Sequence, residues 1–197
     1  GNARARIVED GLRMLRYCRF LPRFGEGGAD PEAFEAISAM ATRAGTLSGE
    51  RIARELRHLF AAPRPQLGVQ VLHDTCLDQA ILGLRLQPDA LALLPPDDAV
   101  IAALASTADL KWLVRLAACL DSNMIRDAGS GRDVADKLAK RLRLSRAERK
   151  YLISLCEGAT QISTGDHLAG HGWQRVAWFL HQAGGDPAAI YIASMAR

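Results

Sequence analysis

The densest set of side chains that could do chemistry in this 197-residue sequence stands near its start, in Glu9-Asp10-Gly11-Leu12-Arg13. Asp10 and Arg13 are three residues apart, so on one continuous helix they project from the same face. A carboxylate only accepts hydrogen bonds, whereas a guanidinium only donates them, from a rigid planar fork. Side by side, the two could match the edge of a nucleobase without a template strand. The plainer alternative is a surface ion pair contributing about 0.2–0.5 kcal/mol.

Other sets are weaker. His73-Asp74 resembles the dipeptide of HD-type metal-dependent phosphohydrolases, which needs further ligands on neighbouring helices. His58 and Asp78 are available, but nothing downstream completes the pattern, and a structural His-Asp pair is the better reading. Asp166-His167-x-x-x-His171 has ligand types one turn apart, yet Gly165, Gly170 and Gly172 argue against a helix there. Asp97-Asp98, Asp133 and Asp136 read as caps and solvated faces. Cys18, Cys76, Cys119 and Cys156 form no Cys-x-x-Cys pair and read as reduced core residues. No metal site is expected in this chain.

The elements that must position these residues are helical almost throughout. Apolar positions among arginines predict an amphipathic helix over 7–20, broken by Pro22 and the glycines that follow. Asp30-Pro31 opens a second helix and Ser48 a third, while Pro63 and Pro65 precede an apolar helix around Val69–Leu72. Further helices are predicted at 97–105, 109–120, 131–143, 145–156, 172–182 and 186–196, with Ser145 and Glu148 forming a capping box. No alternating β-branched run appears, so the expected class is all-α. The Gly/Ser-rich stretch Asp127–Gly131 reads as a hinge between a domain at 1–126 and another at 127–197. No apolar run approaches the roughly 20 residues of a membrane span, and a cytoplasmic location is expected.

Charge is segregated along the chain. The net value is only +3, but residues 1–23 hold six arginines against Glu9 and Asp10. Residues 126–150 hold nine Lys/Arg against four acids. Two basic stretches on a nearly neutral chain fit a polyanionic partner. In the second stretch, Arg132, Lys137, Lys140, Arg141, Arg143, Arg146, Arg149 and Lys150 are the candidate RNA contacts. Trp112, Trp173, Trp178 and Phe179 read as core rather than as stacking platforms.

Three stretches together resemble one family. The run Arg4-x-Arg6-Ile7-x-Glu9-Asp10-x-x-Arg13-Met14-Leu15-Arg16-x-x-Arg19-Phe20 is similar to the head-to-neck junction of the class II tRNA nucleotidyltransferases, the CCA-adding enzymes and bacterial poly(A) polymerases. Ser48-Gly49-Glu50-Arg51-x-x-x-Glu55 resembles the family's neck motif, and Ala62-Pro63 through Leu77 a following proline turn and helix. The match is specific over 4–77 and loose beyond.

The resemblance implies roles as well as a fold of neck and body helices. Asp10 and Arg13 would read the incoming base of ATP or CTP, with Glu9 and Arg16 beside them. Glu50, Arg51 and Glu55 would brace the neck. The body would hold a tRNA or other RNA 3′ end, by CCA addition or, alternatively, poly(A) addition. The family's catalytic head, with two magnesium ions on paired aspartates, has no counterpart before these residues. We therefore expect no catalytic residue here, and a chain inactive alone. A plain helical RNA-binding module is the alternative of another class.

Overall fold

The computed structural model describes residues 2–25, 28–93, 110–120 and 130–163, and among them the fold is all-α, without a β-strand. By contact, the chain divides into two compact units, Gly1–Pro88 with Arg141–Arg143, and Asp89–Lys140 with Leu144–Arg197. The division drawn from the sequence, after residue 126, falls outside the described residues. Its hinge residues 127–129 lie outside the described residues, as do the helices expected at 97–105, 172–182 and 186–196, the Asp97-Asp98 and Asp166–His171 sets, Trp173, Trp178 and Phe179.

In the first unit, α1 (Ala3–Glu9) and α2 (Leu12–Phe24) replace the single helix expected over 7–20. The break is at Asp10, whose backbone is extended at φ −151° and ψ 108°. Its Oδ1 accepts the Leu12 N–H at 3.0 Å, a local side-chain bond that offers the chain an alternative to the helix. Gly11 is in ordinary helical conformation, φ −60° and ψ −19°, so the carboxylate rather than the glycine ends α1.

The expected break at Pro22 does not occur, and α2 continues to Phe24. Proline has no N–H to give the carbonyl four residues back, which is that of Cys18. That carbonyl is met by α5 (Gln66–Asp74), where a Cβ on Gly68 would lie 2.2 Å from the Cys18 oxygen. Glycine alone permits this approach, and α5 packs closely along α2.

The remaining elements follow their caps. Asp30 Oδ1 accepts the Ala33 N–H at 2.8 Å and opens α3 (Pro31–Met40), which packs on α1 and runs into a 3-10 segment, Ala41–Thr46. Ser48 Oγ accepts the Arg51 N–H at 3.4 Å and opens α4 (Gly49–Phe60), against α2. Helix α6 (Leu77–Leu82) packs on the 3-10 segment, and Pro88–Leu93 forms a second 3-10 turn. Leu12, Met14, Leu15, Ile37, Ile52, Leu56, Leu59, Phe60, Leu72, Leu77 and Ile81 are fully buried. Each such side chain contributes about 1.5–3 kcal/mol relative to exposure.

The second unit contains α7 (Lys111–Ala118), packed on α9 (Arg146–Ser163), with most of α8 (Gly131–Leu142). Trp112 is buried, as expected of a core residue. The capping box forms in both directions: the Glu148 N–H donates to Ser145 Oγ at 3.2 Å, and the Ser145 N–H to Glu148 Oε2 at 2.9 Å. Three of the cysteines are buried, and burial pushes the Cys18 and Cys156 thiols up to about 12. Cys76 is the correction, since it is exposed, with its backbone left-handed at φ 56° ahead of α6.

Candidate base-reading site

Splitting the expected helix rearranges its charges. Asp10 does not pair with Arg13. Its carboxylate receives Arg51 of α4, whose Nη2 donates to Oδ1 and Oδ2 at 3.0 Å each. Arg13 turns to α1, where its Nη1 donates to Glu9 Oε2 at 2.6 Å and to the Arg6 carbonyl at 3.1 Å. Among the described residues no acceptor meets its Nε or Nη2. The two residues stay joined through the backbone, the Arg13 N–H donating to the Asp10 carbonyl at 3.0 Å.

Asp10 is kept ionised. The Leu12 N–H chiefly holds its carboxyl below the usual carboxylate value, and Arg51 and Arg16 add to this against the opposing effect of partial burial. An ionised carboxylate offers about four lone-pair sites. Leu12 and Arg51 occupy two on Oδ1 and Arg51 one on Oδ2, so Oδ2 can still accept one more donor.

Beneath this site, Glu55 of α4 is only 4% exposed. Its carboxylate faces Arg16 Nε at 3.6 Å and Arg19 Nε at 3.1 Å, both on α2. The Arg19 contact is short but out of line for a hydrogen bond, so it acts as an ion pair. Two arginines on one carboxylate tie α2 to α4, beside the Arg51–Asp10 tie. Arg19 is the residue that sequence reasoning missed. Its signal was a glutamate inside the apolar stripe of α4, Ile52, Leu56, Leu59 and Phe60, which needs cations to be buried. Glu50 lies exposed in the first turn of α4, where a carboxylate favours the helix start, and makes no bracing contact among the described residues.

The His73–Asp78 set does not resemble a metal site. Asp78 accepts the Gln79 and Leu86 N–H groups at 2.7 and 2.8 Å and faces Arg85 Nε at 3.2 Å, with His73 Nδ1 at 3.6 Å. This arrangement anchors the chain beyond α6. Burial raises the Asp78 carboxyl, against these partners. Among the described residues no three His, Cys, Asp or Glu side chains gather as a metal site, and no helix is long and apolar enough to cross a membrane.

The candidate RNA contacts divide. Lys137, Lys140, Arg143, Arg146 and Lys150 are exposed. Arg132 and Arg149, also exposed, pair with Glu157 at 2.8 Å and Asp136 at 2.9 Å. Arg141 is turned inward, donating to the Gly45 and Leu47 carbonyls at 3.1 Å each. Its guanidinium holds the turn before α4 instead of facing solvent.

Comparison with known proteins bears on the same stretch. Residues 29–84 match the family described as the probable RNA and SrmB-binding site of polymerase A. The chain is 36% identical over 95 residues to a CCA-adding enzyme of Lactobacillus johnsonii, covering 48% of this chain and 24% of that relative. It is 40% identical over 76 residues to the human mitochondrial CCA tRNA nucleotidyltransferase 1, covering 38% and 18%. The zebrafish (Danio rerio) mitochondrial CCA tRNA nucleotidyltransferase 1 is 46% identical over 62 residues, covering 30% and 14%. The matches thus span a quarter or less of these relatives' length. On these grounds the chain contains a helical region similar to the CCA-adding enzymes and to the matched polymerase A family.

Proposed function

We propose that this chain is the base-selecting and RNA-holding helical part of a tRNA CCA-adding nucleotidyltransferase. The observation that carries the proposal is the anchoring of Asp10 and Arg13 by different partners, which leaves each with unused hydrogen-bonding capacity. Asp10 Oδ2 can accept one further hydrogen bond, and Arg13 Nε and Nη2 can donate. Cytosine and adenine both carry an exocyclic amino group, a donor, where uracil and guanine carry a carbonyl. An ionised carboxylate accepts from the first two and repels the others, and the Arg13 fork serves a neighbouring ring nitrogen. Base choice then needs no template. The RNA 3′ end would lie on the exposed cations of α8 and α9. The two magnesium ions of such chemistry would be held by a separate head domain, and no step here runs through them. Poly(A) addition is the second reading, favoured by the description of the matched family. Use of CTP separates the two.

The test is kcat/KM for all four nucleoside triphosphates in the full-length gene product. Arg13→Ala and Asp10→Asn should each lower use of CTP and ATP about tenfold or more, since a hydrogen bond to a charged group contributes about 1.5–3 kcal/mol. The preference over UTP and GTP should shrink with it. An unchanged preference would leave only two surface ion pairs.

A further inference from the structure

Helix α2 carries an exposed set of side chains that extends beyond the base-reading residues. Arg16, Phe20, Arg23 and Phe24 project from roughly a third of the helix circumference, at about 100° per residue. All four are exposed, and Phe20 and Phe24 are unusually open for large apolar side chains, at 45% and 73%. Their ring centroids are 5.9 Å apart with a 43° tilt, an open V instead of a closed stack. The Arg19 guanidinium lies 4.2 Å from the Phe20 centroid, covering one face of that ring and fixing it. Helix α2 has four arginines and no acid. Arg13 is matched by Glu9, and Arg19 with Arg16 by Glu55, whereas Arg23 stands exposed at the end beside Phe24.

Guanidinium groups alternating with open aromatic faces match one chemistry. Phosphates attract the first, and unpaired bases stack on the second whatever their identity. A purely apolar protein partner would leave the arginines desolvated without counter-charges.

We infer that this stripe binds single-stranded RNA, with phosphates on Arg16 and Arg23 and unpaired bases on Phe20 and Phe24. The inference rests on the RNA-holding reading above but lies outside residues 29–84, where the family match falls. Duplex RNA buries its base faces in its own stack, so the stripe should favour single strands.

The test uses the 197-residue chain with a short single-stranded RNA containing 2-aminopurine and with a blunt RNA duplex. Phe20→Leu and Phe24→Leu remove the aromatic faces but keep apolar bulk. Both sites are exposed, and thermal melts followed by circular dichroism check folding. The double variant should bind the single strand about tenfold or more weaker, with a smaller 2-aminopurine signal and unchanged duplex affinity. Arg23→Glu should weaken single-strand binding and flatten its salt dependence. Single-strand affinity within about twofold of the unaltered chain, while salt-sensitive RNA binding persists, overturns the stripe and leaves the RNA reading standing. No binding of either RNA by the unaltered chain overturns that reading and the stripe with it. Loss of a self-association in the leucine variants, with RNA affinity intact, assigns the rings to a protein contact and overturns the stripe as well.

Discussion

Replacing Arg51 with alanine tests the reassigned partner of Asp10. The structure gives Asp10 to Arg51 across 41 residues of sequence, and gives Arg13 to Glu9. The pair is partly open to solvent, with side chains 44% and 31% exposed, so deep-burial energies do not apply. Exposed ion pairs measure about 0.2–1 kcal/mol, and contact with both carboxylate oxygens places this one in the upper half, about 0.5–1 kcal/mol. A double-mutant cycle on Asp10→Ala and Arg51→Ala should return that coupling in urea unfolding. The same cycle on Asp10 and Arg13→Ala should stay within about 0.3–0.5 kcal/mol, the usual error of additivity.

The pH dependence gives a second reading of the same perturbation. Because the folded Asp10 carboxyl titrates below its unfolded value of about 3.9, its contribution is fully present above that pH. It is lost as pH falls through the folded value. Arg51→Ala should raise the folded value and narrow the window, though the Leu12 N–H, the largest cause, remains. Arg13→Ala should leave it in place. Titration of the Asp10 carboxyl carbon by NMR measures this directly. A rise in Arg13→Ala equal to that in Arg51→Ala, or none in Arg51→Ala, refutes the assignment.

Two further outcomes are expected. Gly68→Ala would drive a Cβ into the Cys18 carbonyl, and should cost about 1–3 kcal/mol by thermal melt, where the same change on an open helix face would stabilise. Reversing Lys140, Arg143 and Arg146 to glutamate should weaken RNA binding at every sequence and lower the slope of log affinity against log salt, by roughly one for each phosphate no longer neutralised.

Among the described residues, three helices were legible from their caps. Asp30, Ser48 and the Ser145/Glu148 box each cap the helix that their spacing announced. The errors share a physical origin, since each depends on a partner remote in sequence or on competition inside a short stretch. Asp10 could continue a helix or bond Leu12 across it, and Arg51 favours the second by holding the carboxylate. Pro22 reads as a breaker until Gly68 is placed against the carbonyl that it leaves without a donor. Arg141 is indistinguishable in sequence from its basic neighbours, and only the Gly45 and Leu47 carbonyls set it apart.

Three separated stretches must act together for the same reason. Asp10 is oriented by Arg51, and Arg13 by Glu9 and the Arg6 carbonyl. The helix that carries Arg13 is held to α4 by Glu55 through Arg16 and Arg19. Arg51 and Glu55 are four residues apart on α4, so both fall on the side of that helix that meets the first two. One fixes the carboxylate at the break and the other fixes the helix beyond it. Glu55→Ala would strip the counter-charge from two arginines, costing about 1–3 kcal/mol. It would let α2 shift while Arg51 still held Asp10. The hydrogen bonds that join Arg13 to Asp10 and Glu9 would then be strained between a moving α2 and a carboxylate fixed on α4. A base reader built this way depends on α4 as much as on the two residues that would touch the base.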